Sequence, residues 1–321
     1  MSFFSENFLT IQKRKFHRFV FGGNLKLKTH TKYQSMAVSN PNKALWEKGD
    51  FRVIAKTMRF SAEELVSSLG ITSETIMLDL GCGDGTTAFP ASSIAKHVRG
   101  IDLASNLVEA ANHRLAKAAR TNTGISSRLS FEEGDAMDLK EVADDSFDLC
   151  LSSFGAMFAP RPDDVARELL RVCKKGGGRI VMCNWIPGDP DSFVTQLLAL
   201  SAKYSPTPSP GFISPMLWGK EELVKERFAA AGEVVMGKTS LDISCQRNPY
   251  FFISPKSPAE YAKDWRNYYG PTMNAYSAAE ADGKLEDLHS EVIELFNRNN
   301  QASDGSTKLQ GNFLKVIVCV L

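Results

Sequence analysis

From residue 75 onward the chain alternates short apolar runs with amphipathic helical segments, and that alternation leaves few folds open. Residues 75–80 read as a buried strand, 97–103 as a second, 129–133 as a third, 147–151 as a fourth and 179–183 as a fifth. Between the second and third, residues 105–120 set Leu107, Ala111, Leu115 and Ala118 on one helical face. Residues 162–175 carry a full set of helix signals. Pro162 takes the first position, Asp163 and Asp164 the first turn, Lys174 and Lys175 the last turn, and Gly176 the stop. Strands alternating with helices make a parallel sheet covered on both faces. Upstream, residues 42–70 predict two helices, the second opened by a capping box of Ser61 and Glu64 and stopped by Gly70. Downstream the spacing predicts helices at 191–204 and 220–231, a sixth strand at 234–243, helices at 257–280 and 284–297, and an apolar strand that closes the chain.

Charge divides the chain unevenly. Residues 1–38 are basic, nearly acid-free and dotted with Phe3, Phe4, Phe8, Phe16, Phe19 and Phe21, the composition of a targeting segment. The expected location is cytoplasmic, or mitochondrial or plastid if that segment acts as a transit peptide. The net charge of +1 over 321 residues argues against a dedicated nucleic-acid binder. No run reaches the roughly 18 apolar residues of a membrane span, so stable insertion is not expected. Cys82, Cys150, Cys173, Cys183, Cys245 and Cys319 lie far apart and away from the histidines, which argues against a zinc site or a disulfide framework. No metal is expected.

In open parallel sheets, ligands bind where the strands end. The first strand here runs into Gly81-Cys82-Gly83-Asp84-Gly85, and glycines let such a loop turn sharply beside a ligand. The dinucleotide fingerprint is not met, because its third glycine would fall at Thr86. Asp79, two residues before Gly81, would repel a pyrophosphate but suit a cation. Asp102 ends the second strand and can accept both hydrogen bonds of a ribose diol. A nucleoside with a positive charge and no phosphate answers both carboxylates, and S-adenosylmethionine is such a molecule.

Several motifs then carry a family resemblance. Residues 77–86 (MLDLGCGDGT) resemble motif I of the class I S-adenosylmethionine-dependent methyltransferases. Ile101-Asp102-Leu103-Ala104 resembles their ribose motif, and Glu133-Gly134-Asp135-Ala136 their adenine motif. Residues 147–152 resemble the strand that follows, and residues 169–177 the turn before strand five. The group is the ubiquinone/menaquinone methyltransferase-like, methyltransferase type 11 group. Segments at 42–51, 184–187 and 214–219 also resemble a mostly bacterial subgroup with generally unassigned substrates.

The resemblance implies an α/β, Rossmann-like fold with a seven-stranded, mostly parallel sheet, an antiparallel last strand and a helical lid. It divides the chain into the extension 1–38 and a methyltransferase domain 40–321. Within that domain the nucleotide-binding core is 75–186, the lid elements are 40–70 and 187–310, and the final strand is 312–321. By the same match Gly81 and Gly83 approach the methionine part, and Asp79 orients the loop or the cofactor ammonium. Asp102 takes the ribose hydroxyls, Leu103 packs on adenine, and Asp135 accepts from its amine beside Ala136. Ser152 and Ser153 stand where strand four opens toward the methyl group. Asp135 also reads as a helix cap ahead of Leu139, and the two serines as a plain strand end.

Methyl transfer from a sulfonium is an in-line displacement, for which alignment can supply roughly 7–11 kcal/mol. It obliges no catalytic base, and none is assigned. Ser152-Ser153-Phe154-Gly155 stands where nucleobase amino-methyltransferases carry Asn/Asp-Pro-Pro-Tyr/Phe. Asn248-Pro249-Tyr250 has similar letters but is expected after strand six, so no nucleic-acid partner is expected. The expected partner is a small-molecule methyl acceptor. Trp265 and Tyr269, four apart on one expected helix, are candidate walls of its chamber, with Trp46, Phe51 and Met58 from the N-terminal helices. A lipid quinone or sterol-like acceptor, or a cofactor-binding scaffold without catalysis, are the alternatives. The oligomeric state is not specified by the sequence.

Overall fold

The computed structural model describes residues 40, 42–237 and 241–321; the basic segment 1–38 and its targeting role lie outside the described residues. Seven strands form one sheet: β1 Ile76–Leu80, β2 His97–Asp102, β3 Leu129–Glu133, β4 Leu149–Ser153, β5 Gly178–Trp185, β6 Leu241–Ser254 and β7 Thr307–Val320. Their order is β3-β2-β1-β4-β5-β7-β6. The first five are mutually parallel, and β7 runs antiparallel to both β5 and β6. This is the expected mixed sheet with an antiparallel last strand. The reversal of order between β1 and β4 makes the crevice where such sheets take ligands.

Ten helices surround the sheet among the described residues: α1 Lys43–Glu47, α2 Arg52–Ser67, α3 Ala88–Ser92, α4 Ser105–Ala118, α5 Pro162–Val172, α6 Phe193–Tyr204, α7 Glu221–Met236, α8 Pro258–Tyr268, α9 Gly270–Ala281 and α10 Leu285–Asn299. The core strands read as apolar runs because both faces are covered. Leu149, Cys150 and Leu151 of β4 are all buried, as are Ile180 to Cys183 of β5.

Four boundaries differ from the sequence reading. Ser61 caps nothing: α2 begins at Arg52, which leaves Ser61 buried inside the helix. Its hydroxyl accepts from Phe251 N at 2.9 Å and donates to Phe251 O at 3.2 Å, tying α2 to β6. The formed capping box is Ser257 with Glu260, at the start of α8. Second, α5 ends at Val172, so Lys174 lies beyond it and pairs with Asp148 at 2.7 Å.

Third, residues 234–236 are not strand. Val224, Phe228 and Ala231 recur at helical spacing and are buried, which carries α7 through to Met236 and leaves Val234 71% exposed. The sixth strand begins only at Leu241, so Tyr250, Phe251 and Phe252 belong to the sheet, not to the insertion. Asn248-Pro249-Tyr250 lies within that strand rather than after it. Fourth, β7 begins at Thr307, not at 312, so the excursion between β6 and β7 shortens to residues 255–306. Its first expected helix is two, because the chain turns at Tyr269. A Cβ on Gly270 would meet Leu45 O at 2.6 Å, so the start of α9 lies against the middle of α1.

Candidate active site

The loop after β1 is held over the neighbouring strand. Gly81 N and Cys82 N both donate to Ile101 O, at 2.7 and 3.2 Å. The two glycines at its head serve different ends. Gly81 has φ +73°, and a Cβ there would meet Gly155 Cα at 2.6 Å. It is a contact with the loop after β4 that demands glycine, not a ligand alone. Gly83 has φ +55° and nothing within 4 Å of where its Cβ would stand, so its missing side chain leaves room over the cavity.

Asp102 closes β2 on the facing side. Its Oδ2 accepts from Gly83 N at 2.8 Å and its Oδ1 from Ala104 N at 2.9 Å. Each carboxylate oxygen keeps a second acceptor site. Burial pushes this carboxyl up from its ordinary range, against the pull of those backbone N–H groups.

Asp79 is 0% exposed and does not line the cavity. It stands beneath the loop, where Thr87 Oγ1 donates to its Oδ2 at 2.6 Å and Oδ1 has no partner. Burial, with help from the nearby Asp102 charge and against the Thr87 hydrogen bond, pushes its carboxyl up to about 7. The protonated form is therefore the one the fold favours. Below pH 3.8 the group is protonated whether the chain is folded or not, and ionisation costs the fold nothing. As pH rises from there the unfolded chain ionises first and stability falls, until the loss is complete above about 7. Asp79→Asn should therefore gain stability relative to the parent, by a few kcal/mol, across that interval and hold the gain above it. Urea melts of both proteins from pH 4 to 8 check this; a difference that does not change with pH would count against a buried proton on Asp79.

A cavity of about 120 Å³ opens at the ends of β1, β2 and β4. Gly81, Gly83, Asp102, Leu103, Asp135, Ala136 and Ser153 all line it. Ser152 does not: it is buried, and its Oγ accepts from Ala156 N at 3.0 Å, so it caps the turn after β4. Asp135 serves a turn as well, since its Oδ1 accepts from Met137 N at 2.9 Å. Its other oxygen faces Asn40 Nδ2 at 3.3 Å. His113 is exposed, and His289 is hydrogen-bonded to Tyr276 Oη at 3.0 Å and lines neither cavity.

Trp265 and Tyr269 line a second, smaller cavity, of about 30 Å³. Trp46, Phe51, Met58, Phe154 and Phe158 form walls of both, so the two spaces adjoin. Phe154 stands at the junction with φ +61°, a backbone state that L residues rarely keep without support. The support is its ring, stacked on Trp185 at 3.7 Å and 3° and set edge-on to Tyr250 at 4.9 Å. The sequence reading passed over Phe154, Phe158, Trp185 and Asn40 as site residues. Position was the available signal for Phe154, since it follows the strand that opens toward the reacting centre.

These residues fit a cationic nucleoside. Gly83 leaves the room, Asp102 has acceptor capacity for a diol, and no Lys or Arg lines the first cavity. Among the described residues no group of His, Cys, Asp and Glu could hold a metal ion.

Residues 78–181 match the family model described as a methyltransferase domain. An uncharacterized protein of Mycobacterium tuberculosis is 32% identical over 264 residues, which are 82% of this chain and 89% of that protein. Methyltransferase GfsG of Streptomyces halstedii is 28% identical over 167 residues, 51% of this chain and 58% of that one. Among solved structures, the YcgJ protein of Bacillus subtilis is similar with a TM-score of 0.50 at 20% identity, over 81% of this chain and 97% of that one, which speaks for a shared fold.

Proposed function

The chain belongs to the class I S-adenosylmethionine-dependent methyltransferases, and we propose that its acceptor is a small, largely apolar molecule held in the aromatic chamber. When bound, S-adenosylmethionine supplies a methyl group on a sulfonium that is already a good leaving group. The protein's task is alignment and exclusion of water. Asp102 is suited to hold the ribose through its two unspent acceptor sites, and Asp135 to accept from the adenine amine once Asn40 gives way. Gly83 gives the chain the close approach that a side chain would block.

One observation carries the small-acceptor reading. The second cavity adjoins the first through shared aromatic walls, and no Asp, Glu, Lys, Arg or His lines it. Residues of helices α1, α2 and α8 contribute to its walls, which suits a small acceptor better than a folded protein or a duplex.

The test is incubation with methyl-labelled S-adenosylmethionine and a cell extract, followed by fractionation. Label is expected in the organic-soluble small molecules. Label retained with protein or nucleic acid would overturn the reading and make the acceptor macromolecular.

A further inference from the structure

We infer that the loop between α6 and Pro215 is a phosphorylation site, and that Thr207 and Ser209 are the hydroxyls a proline-directed protein kinase modifies. A sequence pattern points to it, and the fold then sorts the pattern. Six prolines directly follow a serine or threonine, at Ser205, Thr207, Ser209, Ser214, Ser254 and Ser257. Four of these side chains are already committed. Ser205 Oγ donates to Ser201 O at 2.8 Å, at the end of α6. Ser214 Oγ accepts from Met216 N at 3.3 Å. Ser254 is 2% exposed. Ser257 Oγ donates to Glu260 Oε2 at 2.7 Å, inside the capping box of α8.

Thr207 and Ser209 are the two that remain. Both are exposed, and neither hydroxyl is hydrogen-bonded among the described residues. Residues 205–213 form neither helix nor strand. A residue that precedes proline is pushed toward extended backbone, and Ser205 shows it, with φ −89° and ψ 154°. Prolines at alternate positions therefore hold this stretch open, with no helix or ladder competing for its backbone. A kinase cleft takes such a segment, because it must surround the hydroxyl and a few residues on either side of it. Pro208 and Pro210 add direction. A groove that offers no acceptor just after the modified residue loses nothing with proline there, whereas any other residue would leave its N–H buried and unpaired.

The phosphoryl donor is ATP, brought by the kinase. The Thr207 or Ser209 oxygen forms a bond to the γ-phosphorus as the bond from that phosphorus to the bridging oxygen breaks. The bonding pair leaves with ADP, and the hydroxyl proton passes to the kinase's own carboxylate base. The charge change is large for its surroundings. No charged residue lies between Lys203 and Lys220, and each phosphate adds about −1.5 to −2. A neutral loop becomes a strongly anionic one, of the kind an arginine-bearing partner surface recognises. The loop lines neither cavity of the candidate active site, so the modification is separate from cofactor binding.

The test incubates the folded full chain with Mg²⁺, ATP and a purified cyclin-dependent or mitogen-activated kinase, each first shown active on its own standard peptide, and maps phosphate by peptide mass spectrometry. Phosphate is expected on Thr207 and Ser209, with Ser205, Ser214, Ser254 and Ser257 left unmodified as controls that carry the same dipeptide. Thr207→Ala with Ser209→Ala should abolish the labelling and keep the parent's affinity for S-adenosylhomocysteine. Pro208→Ala with Pro210→Ala keeps both hydroxyls and should slow the labelling about five- to 150-fold, the weight of one unpaired N–H. No phosphate on either residue would overturn the site. Labelling of Ser254 or Ser257 at the same rate would overturn the sorting by the fold, and a rate unchanged by the loss of both prolines would overturn the kinase class.

Discussion

Asp102→Ala should weaken S-adenosylhomocysteine binding by about two to four orders of magnitude, and this is the largest effect on binding expected from a single side chain. The two oxygens of Asp102 already receive Gly83 N and Ala104 N and keep one acceptor site each. Two hydrogen bonds to an ionised group contribute roughly 1.5–3 kcal/mol apiece, and every 1.4 kcal/mol is about a factor of ten in affinity. Alanine also releases Gly83 N and Ala104 N, so the loop loses the anchor that sets its place. Thermal melts of the ligand-free variant separate these contributions. A fall of a few degrees reports the lost loop anchors, and the remaining loss of affinity belongs to the ribose. Asp102→Asn keeps the size and one acceptor oxygen, and should lie between. Unchanged calorimetric affinity in Asp102→Ala would remove this carboxylate from the binding site.

The parts of the fold that were legible share a physical origin. β1, β2, β3 and α4 are short, uninterrupted elements whose burial on the sheet imposes a pattern local enough to read. The failures come where a pattern depends on a distant partner. Ser61 and Glu64 have the letters of a capping box, as do Ser257 and Glu260, and only the second pair forms one. What separates them is β6: Phe251 takes the Ser61 hydroxyl from a strand 190 residues away in sequence. The run Val234-Val235-Met236 reads as strand by composition, yet the helix phase set by Val224, Phe228 and Ala231 is already running and carries through it. β6 itself is an outer strand with a polar alternation along Asp242, Ser244 and Gln246, a signal weaker than an apolar run.

The candidate site divides in the same way. Gly83, Asp102, Leu103, Asp135 and Ala136 sit in contiguous motifs at strand ends, and sheet topology brings strand ends together without further information. Asp79 shares the motif but faces down into the core, because alternation along β1 sends it beneath the loop rather than over it. Asn40, Phe158 and Trp185 reach the cavities from the N-terminal segment, the turn after β4 and the end of β5. Their place depends on how helices close over the sheet, which no local spacing encodes. Trp46, Phe51 and Met58 were legible as candidates through their aromatic and apolar character, and they do line the shared wall.

Trp265 is the residue at which packing and chemistry must be told apart. It is 1% exposed and packs against Phe193, Phe252, Tyr261, Tyr269 and Phe296, at ring centroid distances between 4.7 and 6.2 Å. Trp265→Ala should therefore destabilise the protein by about 3–5 kcal/mol, because the surrounding rings cannot collapse into so large a space. In a chain of this size that corresponds to a fall in Tm of roughly 10 °C. Methyl transfer should fall further than the affinity for S-adenosylhomocysteine, since Trp265 lines the second cavity and not the first. Trp265→Phe keeps most of the ring contact and should recover most of the stability, with a smaller loss of turnover. Measured side by side at a temperature well below both melting points, the two variants separate a collapsed core from an altered chamber. A variant whose cofactor affinity and turnover fall by the same factor would mean that Trp265 holds up the whole site and lines no separate acceptor space.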